Sequence, residues 1–363
     1  MAEEVYRQMR EVLAKRGEPT LDIREFYEMC RVLFTPEEAE INNILPSRLT
    51  PLSVIAPEAG RSEKEVSTIL EAMADKGLCL SVVREGTRLY WGTPLLYGIL
   101  EFVFMRGTKT DRDREIARAV HNYRVAVEAA SSGPPRITYP ASRVIPVDRV
   151  IKADTIIKTY DQVVAYIEKS EHIAVSTCFC RHEALLLDEH DVCGMPNEVC
   201  FTFYATAEYL IERGIGRRLT KEEAIDIMTQ AEEAGLMHAT ANSQRLDALC
   251  NCCSCHCARL IPVLKQPKPA EAIPHGFVPS FDSGLCTLCA ICIDRCPAKA
   301  LTLGDEDVPD WNVDRCIGCG ACASGCPENA IILVERTGIL VPPANRNALM
   351  EEMIKSIAQG GSS

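Results

Sequence analysis

Eight cysteines near the end of the chain use one spacing twice: Cys286-x2-Cys289-x2-Cys292-x3-Cys296-Pro297, then Cys316-x2-Cys319-x2-Cys322-x3-Cys326-Pro327. Three thiolates separated by pairs of residues wrap a short loop around a metal centre, with backbone N–H groups turned inward toward the sulfurs. Gly318 and Gly320 let that backbone come close. Each proline ends the loop and frees the fourth thiolate from the local turn. Structural zinc is the competing occupant of clustered cysteines, but two consecutive runs that both end in Cys-Pro argue for iron and sulfide in this segment.

Residues 284 to 335 resemble the two-cluster bacterial-type ferredoxins, and the resemblance implies two [4Fe-4S] clusters with crossed ligation. Cys286, Cys289, Cys292 and Cys326 would hold cluster one; Cys316, Cys319, Cys322 and Cys296 would hold cluster two. The second run, CIGCGAC, has the usual glycines, whereas the first, CTLCAIC, carries Leu288 and Ala290 in their places. Added bulk and apolarity beside cluster one change its hydrogen bonding and solvent access, which predicts unequal potentials for the two clusters.

The chain has nineteen cysteines in 363 residues. Disulfides would need an oxidising compartment, and the N-terminal MAEEVYRQMR lacks the apolar core of a signal peptide, so a cytoplasmic metal-binding protein is expected. The apolar run Leu95 to Met105 contains Glu101 and is too short for a membrane span; it reads as a buried helix. The formal net charge is −12, and each four-thiolate cluster adds about two negative charges. That balance disfavours nucleic acid and predicts a partner redox enzyme or flavoprotein with a basic docking surface.

The fold class expected is α+β and multidomain. Residues 1–130 form the first region. Its helix starts are marked by capping boxes at Thr35-Pro36-Glu37-Glu38 and Ser62-Glu63-Lys64-Glu65, and CLSVV and RLYWG flank the turn-like Arg84-Glu85-Gly86. This order resembles a winged helix, yet the second helix carries Glu63, Glu65, Glu71 and Asp75 against Lys64 and Lys76, so protein docking is expected rather than DNA reading. Cys30 and Cys79 read as core thiols. The Ser/Gly/Pro-rich 128–140 marks a boundary. Residues 131–265 are a Cys-rich α/β middle domain with helices at TFYATAEYLIERG and after the Thr220 capping box. Residues 266–283 are a Pro-rich linker, 284–335 the dicluster ferredoxin domain, and 336–363 a tail helix.

Nine cysteines fall in the middle region: Cys178, Cys180, Cys193, Cys200, Cys250, Cys252, Cys253, Cys255 and Cys257. They are read as ligands of one or two further iron–sulfur centres of unknown grouping. Adjacent Cys252 and Cys253 project differently from the backbone, which favours two centres over one. Zinc is the competing occupant, with His182, His190 and His256 at hand, and redox-active thiols are a third reading. Each histidine taken alone reads as solvated or flanking a site.

Taken whole, the chain resembles multidomain iron–sulfur proteins of anaerobic bacteria and archaea, on STCFCRHEA (176–184), NEVC (197–200), GIGRRLTKEEA (214–224), EEAGLMH (232–238) and CNCCSCHC (250–257). The resemblance implies an electron carrier or the electron-transfer subunit of an oxidoreductase complex, without catalytic residues of its own. His256 interrupts a run that is denser in cysteine in such proteins. No Gly-rich nucleotide fingerprint stands out, so single electrons rather than hydride are expected. Two alternatives are a reductase with a substrate-accessible middle-domain cluster near Arg181 and His182, and a redox-sensing regulator.

Overall fold

The computed structural model describes residues 2–17, 20–130, 139–152, 162–188, 190, 193–305, 307–338 and 341–360. Most of the boundary read at 128–140 lies outside them. Helices and small sheets are mixed throughout, an α+β composition. Among the described residues no helix is long and apolar enough to cross a membrane.

The chain divides into two compact units. The first comprises Met1–Pro134 with Ser176–Asp191 and Ala205–Arg217, so two segments of the Cys-rich region fold with the N-terminal one. Both N-terminal capping boxes form: Thr35 opens Pro36–Ile44 and Ser62 opens Glu63–Asp75, in each case with the glutamate three residues on closing the reciprocal bond. A hairpin of Leu80–Arg84 and Thr87–Trp91 follows, and the short strand Thr50–Pro51 adds to its second arm. Two acidic side chains of the Glu63–Asp75 helix are engaged within the unit: Arg213 bonds both Glu71 and Asp75 at 2.9 Å. Cys30 and Cys79 are fully buried, and burial raises both thiols well above their ordinary range.

One expected helix is shorter than its apolar run. Helix occupies Leu100–Met105, while Leu96, Tyr97 and Gly98 take non-helical dihedrals, with Tyr97 at φ 57°. The cause is Glu101, whose carboxylate accepts the backbone N–H of Tyr97 at 3.0 Å and of Gly98 at 2.8 Å. The acid satisfies the orphan donors of the turn before it, as a capping side chain does.

The second unit comprises Pro135–Val175, Val192–Tyr204 and Arg218–Ser363. Its centre is a sheet in the order Ser142–Ile145, Met237–Ala241, Ala248–Cys252, Glu198–Phe203, Ile173–Thr177, Arg217–Arg218. Period-two alternation gives this sheet two different faces. Ile145, Phe201, Phe203 and Leu249 pack on one side with Val163, Ile167 and Met228 from the flanking helices. Val144, Met237, Ala239 and Cys252 face the other side, toward Leu260, Ile273, Ala298, Ala300 and Ile317. The cysteine-bearing C-terminal segment therefore packs on the sheet face that carries Cys252.

Arg295 ties that segment to the helix Lys221–Glu233. Its guanidinium donates to the carbonyls of Glu232 and Glu233, both at 2.8 Å, and to Ala321 O at 3.0 Å. Both carbonyls lie in the last turn of the helix, where a cation is favoured; that of Glu232 also accepts the N–H of Gly235 at 3.0 Å. Arg295→Ala is expected to cost about 3 kcal/mol, roughly 5–10 °C in the melting temperature of this unit, read by calorimetry on anaerobic protein.

Candidate metal centres

The two cysteine runs fold as near repeats thirty positions apart. Cys292 sits in the short helix Ile291–Asp294 and Cys322 in Ala321–Ser324. Beyond each Cys-Pro, the backbone N–H four residues on donates to the fourth sulfur: Ala300 to Cys296 at 3.2 Å and Ala330 to Cys326 at 3.3 Å. Gly318 and Gly320 take φ 64° and 82°, and Leu288 and Ala290 adopt the same left-handed region at 55° and 64°. The first loop thus wraps as the second does, although a side chain in that region costs about 1–2 kcal/mol. Leu288 turns outward and is 41% exposed, so its bulk stands at the surface.

Cys296, Cys316, Cys319 and Cys322 line one cavity together with Ile317, Gly318, Gly320, Trp311, Leu301 and Leu333. This is the set that crossed ligation assigns to cluster two, brought around a common space by two separate loops. Burial, above all, pushes the Cys319 thiol up to about 12 and raises those of Cys316 and Cys322. Inward N–H groups of Gly318, Ala321 and Ala323 oppose that rise. Four ionised sulfurs in so apolar a space require a cationic core, which is what an iron–sulfur cluster supplies. The residues fit the group.

Cluster one's ligand set is more open. Cys289 is exposed, Cys286 and Cys326 are partly buried, and only Cys292 of the four is buried. Leu285, Leu288 and Ile291 interleave with these cysteines and remain 50%, 41% and 40% exposed.

In the middle region the sheet sorts the cysteines. Glu198–Phe203 pairs antiparallel with Ala248–Cys252 through Phe201↔Leu249 and Thr202↔Ala248, and the next step of that register sets Cys200 opposite Cys250. Cys250 and Cys252 share a strand face, while Asn251 turns the other way and accepts from His238 Nδ1 at 2.7 Å. Cys257 returns after the turn to lie 3.2 Å from Cys252, sulfur to sulfur. Cys200, Cys250, Cys252 and Cys257 thus form one group. Thiol donors from Cys200 and Cys252 hold the Cys250 thiolate well below its ordinary range and correspondingly raise Cys252.

A second group forms where the strand ends. Cys193, Cys253, Cys255 and His256 each offer a ligand atom, all within 4.8 Å of one another. Burial of the sulfur, then Cys253 and Cys193 beside it, pushes Cys255 up to about 12. The opposite projection of Cys252 and Cys253 is observed: the two join different groups. His256, read from the sequence both as a flanking residue and as one that could complete a Cys3His set, joins three thiols; Cys193 reaches it from a loop far upstream that no local spacing reveals. The other histidines do otherwise. His182 Nε2 meets the Thr108 carbonyl at 2.7 Å within the first unit, and burial lowers its pKa; His190 is exposed. Cys178 precedes, and Cys180 lies within, the helix Phe179–Leu187 of the first unit, where Arg181 is also buried.

Residues 278–327 match the model of the 4Fe-4S dicluster domain. This segment carries iron–sulfur chemistry. No curated protein and no solved structure matches the chain. The dicluster match covers the two repeated runs and stops short of the middle-region cysteines, for which the geometry above is the evidence.

Proposed function

We propose that the protein is a cytoplasmic electron carrier, or the electron-transfer subunit of an oxidoreductase complex, which passes single low-potential electrons through three iron–sulfur centres. Cys286, Cys289, Cys292 and Cys326 hold cluster one, and Cys296, Cys316, Cys319 and Cys322 hold cluster two. Cys200, Cys250, Cys252 and Cys257 hold a third. The observation that carries this reading is a shared core: Cys252, Cys257 and Cys319 are buried in one apolar cluster against which Cys250, Cys296 and Cys316 also pack. Two thiolate sets lining one apolar core, whose other members include Ala298, Ala300, Ile317 and Met237, form the relay.

Cluster one is the exchange point with the partner. Its exposed Cys289 and the apolar rim of Leu285, Leu288 and Ile291 give a redox partner a surface to dock on. The net charge of −12 favours a partner with a basic rim. The acidic winged-helix-like front supports protein docking as well. The buried, apolar cluster two disfavours the added electron more than cluster one does, so it has the lower potential. An anaerobic EPR redox titration is expected to resolve two ferredoxin midpoints with cluster two below cluster one; coincident midpoints would contradict this.

Cys252→Ala tests the relay. It is expected to remove about four of roughly twelve irons per chain while both ferredoxin signals persist. An unchanged iron count would remove the third centre from the account.

A further inference from the structure

Among the described residues, Cys193, Cys253, Cys255 and His256 converge until every ligand atom lies within 4.8 Å of the others. The neighbouring group of Cys200, Cys250, Cys252 and Cys257 converges as well, with Cys252 and Cys257 3.2 Å apart, but it offers sulfur alone. The imidazole of His256 sets the quartet apart. Around one tetrahedral ion with metal–sulfur bonds of about 2.3 Å, the sulfurs stand roughly 3.8 Å from one another. The quartet matches the single ion.

We infer that Cys193, Cys253, Cys255 and His256 bind one tetrahedral zinc ion, separate from the iron–sulfur centre formed by Cys200, Cys250, Cys252 and Cys257. Three thiolates and an imidazole are a closed structural zinc set, with no position left for substrate. An imidazole in the set favours zinc over ferrous iron, which lies below it in the divalent affinity order. The ion has a clear mechanical task. Strand Ala248–Cys252 ends one residue before Cys253, and the turn that follows must bring Cys257 back to within 3.2 Å of Cys252. Pinning Cys253, Cys255 and His256 to the Cys193 loop fixes that turn, so zinc holds in register the strand end and the return that carry the third centre's ligands.

The site is independent of the electron-transfer reading, because it neither accepts electrons nor uses a ferredoxin cysteine. Full-length protein made anaerobically with iron and zinc both supplied, then desalted through a chelator, is expected to retain about one zinc per chain by elemental analysis. His256→Ala should lower zinc retention by roughly tenfold or more with the eight ferredoxin irons retained, and His256→Cys should restore it. Cobalt supplied in place of zinc should give the visible absorption of a tetrahedral thiolate site in the unmutated chain, a readout that does not depend on any variant folding. Unmutated protein without zinc and without the cobalt spectrum would overturn the inference. So would about sixteen rather than twelve irons in the unmutated protein, because the quartet would then hold a fourth cluster. Either failure leaves the ferredoxin iron count where it was.

Discussion

Cys319→Ala is expected to strip about four irons from the protein and abolish the magnetic interaction between the two ferredoxin clusters, leaving cluster one as an isolated signal. Cys319 is 8% exposed and sits between Gly318 and Gly320 on the wall of the cavity. Among the described residues that line the cavity none is an Asp, Glu or His that could replace its sulfur, and the truncated side chain adds a void to the shared core. Loss of cluster two also cuts the path between cluster one and the third centre, so electrons delivered by a partner should reduce cluster one alone. Cys30→Ala is the matched control: a thiol just as buried, but in the packed interior of the other unit, where the iron count should not move. If both variants lose iron equally, the loss reflects general destabilisation and the ligand assignment fails.

Gly318→Ala is expected to be nearly as damaging without touching a ligand. Gly318 has φ 64°, and a Cβ there would run into the Phe277 carbonyl oxygen and come within 2.8 Å of His275 Cδ2. His275 cannot move aside freely, since its Nδ1 meets the Ile273 carbonyl at 3.1 Å and Arg336 bonds its Nε2 at 2.9 Å. Left-handed strain of about 1–2 kcal/mol adds to that clash, for a total above about 3 kcal/mol. The loop must then swing away from the cavity and take Cys316 and Cys319 with it. Gly86→Ala, at φ 76° with nothing within 4 Å, isolates the strain alone and should cost only about 1 kcal/mol. Melting curves and iron retention of the two variants measure the difference.

Local signals in the sequence carried far. The capping boxes at Thr35, Ser62 and Thr220 all form, because each depends on residues three positions apart. The hairpin around Glu85 and Gly86, and the tail helix at Arg346–Gly360, follow from equally local patterns. The repeated Cys-Pro runs place the ferredoxin segment because their ligands are set by loop spacing. What stayed hidden depends on contacts distant in the chain. The pairing of Glu198–Phe203 with Ala248–Cys252 decides that Cys200 joins Cys250, and a register between strands some fifty residues apart leaves no mark on either. Likewise, Ser176–Asp191 and Ala205–Arg217 read as parts of the cysteine-rich region, yet they pack with the N-terminal unit. The break at Tyr97 was masked by an apolar run whose one acid, Glu101, turns back on the backbone.

The most direct measurement is reductive coulometry on anaerobically prepared full-length protein, counting the electrons it accepts. Three centres of the [4Fe-4S] type predict an uptake of about three electrons per chain, two of them into the ferredoxin pair. Uptake near zero, in colourless protein, would contradict the account at its root.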